Sequence, residues 1–393
     1  MNDVLGKAID SARRSKVAYC KYLAANDTKA TKSHQSGYLI SKSAWKLFLT
    51  KEPMQRKNLK VKVTIKWQHD VETKSVFTYY GAAKNEFRLT RFGRKFPFRE
   101  KNNVGDLLVL CKKDNSHFEA YILSHDYEID EFFAALNISS TETNGIIPKK
   151  NEVKVDKKLL EKFNSYLNSL SKDFPTTSEL ASNARECYND TFKVTSKNIE
   201  ADPDKEILEW LKAEYELFKV IENDRYKKGF TSRFTTVEEF LEAANKFLQR
   251  RKSRAGWSLE HHLVEIFRIF DLQFDFGRRV KTEGNKKPDF LFPGKIAYQS
   301  KKFNANKLVM LAAKTTCKDR WRQILNEADK IKTKHLFTLQ QGISENQLKE
   351  MYECKVQLVV PKAYLHHFPK SYQNRIWTLA QFIKYVQRIQ SKM

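Results

Sequence analysis

Two acidic residues and one lysine in the C-terminal part of the chain have the types and order of a metal-dependent hydrolytic site. Asp289 follows Pro288, Lys314 closes the apolar run 308–313, and Glu327 lies on the amphipathic stretch that comes next. Carboxylates are ligands that Mg²⁺ prefers, and a lysine at the end of a strand can meet a scissile phosphate and its attacking water. The pattern predicts nuclease chemistry with three principal residues.

The composition indicates a polyanionic partner. The 393 residues include 72 Lys and Arg against 47 Asp and Glu, which gives a formal charge of +25. Such a chain is attracted to nucleic acid, with an affinity that falls as salt rises, although a basic surface that only aids solubility is the simpler alternative. With 41% hydrophobic residues, including 27 Phe, the chain can build two or three folded domains.

The five cysteines argue against a zinc module or a disulfide framework, because no two of them have metal-binding spacing and their number is odd. The first residues do not resemble a signal peptide, and no apolar run approaches the ~20 residues that span a bilayer. We therefore expect a soluble protein of a reducing, prokaryotic cytoplasm.

Strand-like runs separated by polar turns predict an all-β unit with a few helices in the N-terminal part. These runs cover 59–67, 75–80, 106–111 and 117–123. The polar, Lys-rich stretch that starts near Asn144 is the predicted linker. We divide the chain into an N-terminal domain (1–143), a linker (144–172) and a catalytic domain (173–393).

The C-terminal part alternates between helical and strand-like patterns, which predicts an α/β core with a largely parallel or mixed sheet. Helical patterns dominate 204–249, and 319–331 has apolar residues at helical spacing, which places Glu327 on a helix. Strands are predicted at 308–315, 335–339 and 356–360, and helices at 345–351 and 378–389.

Glu260 is a further candidate acid, because it lies beside the apolar helical stripe formed by Leu259, Leu263 and Phe267. Its carboxylate could reach a metal or an active-site water, or it could be an ordinary surface glutamate. The neighbouring His261 and His262 are interpreted as packing or surface residues rather than ligands. On spacing alone, Asp289 could also be a turn former and Lys314 a strand-end lysine.

Several segments resemble the EcoRII family of type II restriction endonucleases, which belong to the nucleases named for the pattern PD…(D/E)XK. The resemblance is carried by residues 25–31, 85–94, 250–256, 283–293, 314–331 and 358–361. In this pattern an acid normally stands two residues before the lysine, where this chain has Ala312. Glu327 is the proposed replacement, so the resemblance implies a Mg²⁺ site made by Asp289 and Glu327.

The resemblance also implies a fold and a partner for each half of the chain. The N-terminal half would be a B3-like pseudobarrel that binds double-stranded DNA, and the C-terminal half a restriction-endonuclease-like α/β core. A homodimer would cut a CC(A/T)GG-type site on its 5′ side, beside a cognate DNA methyltransferase of the same restriction-modification system. The candidate DNA contacts of the N-terminal domain are His34, Gln35, Lys84, Arg88, Arg91 and Arg94.

Lys318, Asp319 and Arg320 are candidates for reading base edges in the major groove, because Lys and Arg suit guanine and Asp suits cytosine. A charged helix start is the alternative for these residues. Tyr215 matches the family's pocket for a flipped central base. Leu211 replaces an arginine of that pocket, so either Trp210 supplies that contact or the central base is treated differently.

Three functions therefore stay open from the sequence. The first is a Mg²⁺-dependent restriction endonuclease, in which a second copy of the site bound at the N-terminal domain regulates cleavage. The second is a sequence-specific DNA-binding regulator whose nuclease core is inactive. The third is a repair or recombination nuclease, which would lack a dedicated sequence-reading arm and would prefer damaged or branched DNA.

Overall fold

A computed structural model describes residues 4–30, 37–54, 57–82, 84–149, 152–226, 234–277, 282–283 and 286–393. The chain divides into two compact units. The first contains Met1–Lys149 with Gln340–Glu350 and Tyr364–Arg375, and the second contains Lys150–Leu339, Met351–Ala363 and Ile376–Met393. Within the described residues, no helix combines the length and apolar character that crossing a membrane requires.

The first unit is built on an eight-stranded sheet with the order β2-β5-β4-β3-β7-β6-β1-β8. All neighbouring strands are antiparallel except β3 and β7. The four strands predicted from the sequence are present. The elements are α1 (Val4–Arg14), β1 (Val17–Tyr22), β2 (Tyr38–Ile40), β3 (Asn58–Trp67), β4 (Glu72–Tyr80), β5 (Phe87–Thr90), β6 (Leu107–Lys112), β7 (His117–Leu123), α2 (Asp126–Leu136) and β8 (Gly145–Ile146).

Both faces of this sheet are buried where β1 pairs with β6. Successive side chains of a strand point to opposite faces. Tyr19 and Leu108 accordingly join one aromatic-rich core, while Cys20 and Val109 join a second core. The second core also contains Ala12 of α1 and Phe132 of α2. The continuous apolar runs of β1 and β6 thus reflect burial on two sides.

The predicted linker, 144–172, contains regular structure. Gly145–Ile146 forms β8 and pairs with β1, and Lys157–Ser169 forms helix α3. The helix begins at the cap Asp156, whose side chain accepts a hydrogen bond from the backbone N–H of Lys158. Leu159 and Phe163 of this helix are buried. A polar, Lys-rich composition therefore concealed an amphipathic helix whose apolar residues are few but correctly spaced.

The second unit has the predicted α/β architecture, with a mixed six-stranded sheet in the order β14-β13-β12-β11-β10-β9. Strands β11 to β14 are parallel, whereas β10 is antiparallel to both β9 and β11. The strands are β9 (Asp275–Phe276), β10 (Phe290–Phe292), β11 (Val309–Lys314), β12 (Lys334–Thr338), β13 (Val356–Val360) and β14 (Trp377–Thr378). The remaining helices are α4 (Thr177–Phe192), α5 (Ser196–Ala201), α6 (Pro203–Arg225), α7 (Val237–Ile269), α8 (Lys295–Gln299), α9 (Glu345–Glu353) and α10 (Leu379–Gln390).

Helix α7 packs on the sheet through its C-terminal half. Leu259, Leu263 and Phe267 are buried, as their helical spacing predicts. The ring of Phe267 makes edge-on contacts with the rings of Phe290 and Phe292 in β10, at centroid distances of 5.2 and 5.3 Å. These contacts fix the rotation of α7 about its axis, and thereby the direction of Glu260.

The segment that carries Glu327 differs from the predicted helix. Only Arg320–Asn326 is helical, as a 3₁₀ helix, and Glu327 then has an extended backbone with φ −92° and ψ 143°. Trp321 and Ile324 are buried, as the spacing of the apolar residues predicts. The helix ends at Asn326, Ala328 beyond it has a positive φ of 49°, and the ammonium of Lys334 donates to the carbonyl oxygens of Glu327 and Ala328.

The side chain of Asp204, in the first turn of α6, binds the backbone of two other segments of the second unit. Its buried carboxylate accepts hydrogen bonds from the backbone N–H groups of Lys362, Leu379 and Ala380, at 3.0, 2.8 and 3.0 Å. The last two belong to the first turn of α10, where such donors have no partner within the helix. One carboxylate therefore satisfies three donors and joins the N-terminal ends of α6 and α10.

We expect Asp204→Ala to lower the free energy of unfolding of the second unit by roughly 3 kcal/mol, because three donors lose their acceptor. Asp202→Ala, which removes the exposed cap of the same helix, should cost only about 1 kcal/mol. Denaturant unfolding followed by circular dichroism measures both. Equal losses in the two variants would contradict the role assigned to Asp204.

Candidate active site

The antiparallel register of β10 and β11 brings Asp289 next to Lys314. Phe290 pairs with Leu311 and Phe292 with Val309, so the start of β10 lies beside the end of β11. The Oδ2 atom of Asp289 accepts hydrogen bonds from the backbone N–H of Ala313 at 2.8 Å and from Nζ of Lys314 at 2.9 Å. Two residues far apart in the sequence therefore form a partly exposed ion pair.

Glu260 and Glu327 approach this ion pair from α7 and from the end of the 3₁₀ helix. Burial raises the pKa of Glu260 to about 8, with a further increase from the charge of Asp289 and a decrease from Lys314. Burial likewise raises the pKa of Glu327 to about 7, with the same opposing contributions from Asp289 and Lys314. The structure thus brings all four predicted catalytic residues into one electrostatically coupled group.

The donor set suits a hard divalent cation. The described residues contain no ready cluster of three His, Cys, Asp or Glu side chains for a metal. However, Oε2 of Glu327 is buried and has no hydrogen-bond partner among the described residues. Mg²⁺ is usually held by one or two carboxylates and keeps several waters. Asp289 and Glu327 meet that requirement, and a bound cation would offset both the burial and the repulsion by Asp289 that raise the pKa of Glu327.

Lys334 also belongs to this site, although nothing in its sequence context singles it out. It begins β12, its side chain is buried, and its Nζ donates hydrogen bonds to the carbonyl oxygens of Glu327 and Ala328. A lysine before an apolar strand is common on protein surfaces, so the sequence carried little signal for it. The contact becomes evident only in the folded chain, where Lys334 lies next to the turn at 327–328.

Of the three candidate base-reading residues, one is buried and two are accessible. Lys318 is 7% exposed, and burial lowers its pKa to about 8. Asp319 is exposed, and Arg320 is half-buried with a hydrogen bond to the hydroxyl of Thr316. They lie just after β11, as predicted, but they do not form one exposed face in the DNA-free chain.

Tyr215 lies inside the helical layer of the second unit and is 1% exposed. The ammonium of Lys219 and the guanidinium of Arg254 lie 4.7 and 4.8 Å from its ring centroid. The indole N–H of Trp210 donates to Oδ1 of Asn189 at 2.9 Å, so it is not available to replace an arginine at the position of Leu211. The base-pocket role of Tyr215 stays a prediction.

His262 packs inside the protein, which is one of the two predictions made for it, a packing residue or a surface residue. It is fully buried, with Nε2 2.8 Å from Oε2 of Glu214 and Nδ1 3.2 Å from the guanidinium of Arg185. Because arginine can only donate, Nδ1 accepts and Nε2 carries the proton. This polar group joins α4, α6 and α7 next to Glu260. His261 is half-buried and stacks on Trp257.

Among the N-terminal candidates, Lys84, Arg91 and Arg94 are exposed. Arg88 differs from them, because it is 7% exposed within β5 and its Nε donates to Oε1 of Glu86 at 2.8 Å. His34 and Gln35 lie outside the described residues. Three of the six candidates are therefore accessible to a large polyanion in the described structure.

Comparisons with known proteins identify relatives for both halves. The family model described as restriction endonuclease EcoRII, N-terminal, matches residues 12–152, and the model described as EcoRII C terminal matches residues 218–383. The type II restriction enzyme EcoRII of Escherichia coli is 37% identical over 391 residues, which cover 93% of this chain and 92% of that enzyme. The type II restriction enzyme SsoII of Shigella sonnei is 28% identical over 174 residues, covering 42% of this chain and 55% of that enzyme.

Solved structures with similarity to the chain are also restriction endonucleases. Metal-depleted Ecl18kI in complex with uncleaved, modified DNA has a TM-score of 0.45 and 20% identity, covering 59% of this chain and 85% of that chain. A complex of the restriction endonuclease PspGI with substrate DNA has a TM-score of 0.44 and 14% identity, covering 57% and 97%. The sequence matches to both halves carry the assignment without these structures: this chain belongs to the EcoRII family of type II restriction endonucleases.

Proposed function

We propose that this restriction endonuclease hydrolyses both strands of duplex DNA at a CC(A/T)GG-type site, with Mg²⁺, and leaves 5′-phosphate and 3′-hydroxyl ends. The observation that carries the proposal is the ion pair between Asp289 and Lys314, with Glu327 and Glu260 close enough to be perturbed by both charges. Acids coupled in this way to a lysine at a strand end suit the hydrolysis of a charged ester.

In this proposal Asp289 and Glu327 hold the metal ion. When bound, Mg²⁺ polarises the phosphate and lowers the pKa of a coordinated water. The second hydrogen bond to Asp289, from the backbone N–H of Ala313, keeps the carboxylate at the end of β11 whether or not the metal is present. Glu327 supplies the unpartnered Oε2 described above.

Lys314 binds the phosphate oxygens as negative charge develops, and orients the attacking water. Its side chain is 23% exposed, so the ammonium can turn from Asp289 to a phosphate without crossing the protein interior. Glu260 completes the acidic group. With a pKa of about 8 it is mostly protonated near neutral pH in the metal-free chain, and can donate a hydrogen bond to a water or phosphate oxygen.

Site recognition is assigned to Lys318, Asp319 and Arg320, with Tyr215 at the central base pair. Guanine O6 and N7 accept from Lys or Arg, and the amino group of cytosine donates to Asp. Because Lys318 is buried in the DNA-free chain, its contact with a base requires a rearrangement of the turn after β11. The outer C and G pairs are therefore read after DNA binds, rather than by a preformed surface.

The N-terminal domain is proposed to be a B3-like DNA-binding module that binds a second copy of the site and regulates cleavage. Its candidate contacts are the exposed Lys84, Arg91 and Arg94, the buried Arg88, which pairs with Glu86, and His34 and Gln35, which lie outside the described residues. A homodimer would present one catalytic site to each strand. The enzyme would work in the cytoplasm of a prokaryote, beside a methyltransferase that protects the host's own sites.

We expect Lys314→Ala to lower the cleavage rate by about 10²- to 10³-fold, because one charge-stabilising group is lost, while specific DNA binding remains. Digestion of a multi-site plasmid with and without Mg²⁺, with sequencing of the fragment ends, measures cleavage and identifies the site. The matched control is Lys384→Ala, an exposed lysine of α10, which should cut normally.

Loss of specific binding in Lys314→Ala would assign the lysine to recognition. Sequence-specific binding without any cutting by the unaltered enzyme would favour the DNA-binding regulator. Digestion without discrete bands, or preference for branched DNA, would favour a repair nuclease.

Metal binding should release protons below about pH 8, because Glu327 and Glu260 keep theirs up to about pH 7 and 8 in the metal-free chain. Mg²⁺ affinity should therefore rise with pH between 6 and 8. Calorimetric titration with Mg²⁺ in buffers of different ionisation enthalpy counts the protons. Glu327→Gln should reduce that count by up to one near pH 6, whereas Glu161→Gln, on the exposed face of α3, should not.

The same pKa shifts predict how the stability of the metal-free chain depends on pH. The folded chain holds the proton of Glu327 to about pH 7, whereas an unfolded chain releases it near its ordinary pKa of 4.5. The resulting stabilisation is full below about pH 4.5 and is lost as the pH rises through about 7. Thermal unfolding of Glu327→Gln should show a weaker fall in stability over this range, and an unchanged fall would contradict the assignment.

A further inference from the structure

Lys334 is a buried cation that donates a hydrogen bond to the backbone of Glu327. Its side chain is 5% exposed, and its Nζ donates to two carbonyl oxygens, that of Glu327 and that of Ala328, the latter at 2.7 Å. Burying an ammonium costs free energy unless hydrogen bonds replace its hydration. Bonds from a charged donor are about twice as strong as neutral ones, so the two carbonyls offset much of this cost.

The backbone that Lys334 holds has an unusual conformation. Ala328, directly after Glu327, has a φ of 49°, in the left-handed region that a residue with a Cβ rarely adopts. Such a conformation persists only where surrounding contacts enforce it. Before the turn, the backbone N–H of Glu327 donates to the carbonyl of Ile324 at 3.0 Å. Glu327 is therefore fixed from its N-terminal side by the 3₁₀ helix, and from its C-terminal side by the ammonium.

The backbone of Lys334 is itself held in place by the sheet. It begins β12, which lies between β11 and β13 in the sheet, and its backbone N–H donates to the carbonyl of Lys355 at 3.0 Å. β11 carries Lys314 at its C-terminal end, and β12 pairs with it in parallel. The lysine therefore ties the turn that carries Glu327 to the same sheet that carries the ion pair of Asp289 and Lys314.

We infer that Lys334 is a positioning residue for catalysis, which holds the carboxylate of Glu327 at the distance from Asp289 that a shared divalent cation requires. This inference rests on the proposed role of Glu327 as a metal ligand. Lys334 touches neither the metal nor the DNA, and positions Glu327 through the backbone of the 327–328 turn, although its charge also acts on the Glu327 carboxylate and lowers the pKa of that group, which burial raises. Removing its two hydrogen bonds leaves the turn without a fixed conformation. Metal binding must then also order the turn, which makes the free energy of metal binding less favourable.

Two other lysines contact the same loop farther from Glu327 and serve as matched controls. Lys286 pairs with Asp329 at 2.8 Å, with both side chains partly exposed, and Nζ of Lys330 donates to the carbonyl of Tyr298 at 2.6 Å. Neither bonds to the backbone of Glu327 or Ala328 in the described structure. Their removal takes away a charge and a loop contact but leaves the turn of Glu327 anchored.

The experiment measures Mn²⁺ binding directly, without turnover, from the electron paramagnetic resonance signal of free Mn²⁺. Lys334→Met keeps an unbranched side chain of similar length but has no donor. We expect its Kd for Mn²⁺ to rise about 10- to 100-fold, while Lys286→Met and Lys330→Met change it less than about 3-fold. Metal-free binding to a cognate duplex should stay within about 2-fold. In cleavage assays, high Mg²⁺ should restore much of the lost rate.

The double variant Lys334→Met with Glu327→Gln distinguishes the positioning of Glu327 from a general destabilisation of the site. If Lys334 acts through Glu327, the double variant should bind Mn²⁺ no more weakly than Glu327→Gln alone. If Lys334→Met does not fold, Lys334→Gln, which keeps one neutral donor, should show an intermediate Kd. A folded Lys334 variant with Mn²⁺ affinity within 3-fold of the unaltered enzyme would overturn the inference. Unchanged Mn²⁺ binding in Glu327→Gln alone would instead overturn the proposed metal role of Glu327.

Discussion

The site depends on the pairing of one partly buried carboxylate with one lysine at the meeting point of β10 and β11. Asp289 and Lys314 are held there by strand register and not by sequence proximity, and the backbone N–H of Ala313 shares the same carboxylate oxygen. The remaining acids respond to this pair. The pKa values of Glu260 and Glu327 rise first through burial and then through the charge of Asp289, while the ammonium of Lys314 limits the rise.

The rest of the second unit holds these groups close together despite their mutual repulsion. The edge-on contacts of Phe267 with β10 set the position of α7, and the buried group of Glu214, His262 and Arg185 joins that helix to α4 and α6 at the level of Glu260. On the opposite side, Lys334 fixes the backbone of Glu327. The metal-free site is consequently a strained electrostatic arrangement, which a divalent cation would stabilise.

The elements that the sequence predicted well are those with a strong local pattern. The strands at 117–123 and 356–360 match β7 and β13, because their apolar runs are bounded by polar turns. The region 319–331 shows where local pattern fails. Its apolar residues are buried as their spacing predicts, but the 3₁₀ helix ends at Asn326, and Glu327 lies on an extended backbone that a tertiary contact from Lys334 holds. The segment 144–172, predicted to be a linker, also contains α3, because its polar composition hid the cap and the short apolar face of that helix.

The sequence alone determined the alternation of helices and strands, the basic character of the chain, and the identities of the acids and the lysine that come together, because periodicity, charge and residue type are local properties. Tertiary structure decided which of these groups share an environment. It placed Glu260 beside Asp289, buried Lys318 and Arg88, and recruited Lys334 to the backbone of Glu327. Those outcomes depend on strand register, helix rotation and desolvation, which arise only when distant segments pack against one another.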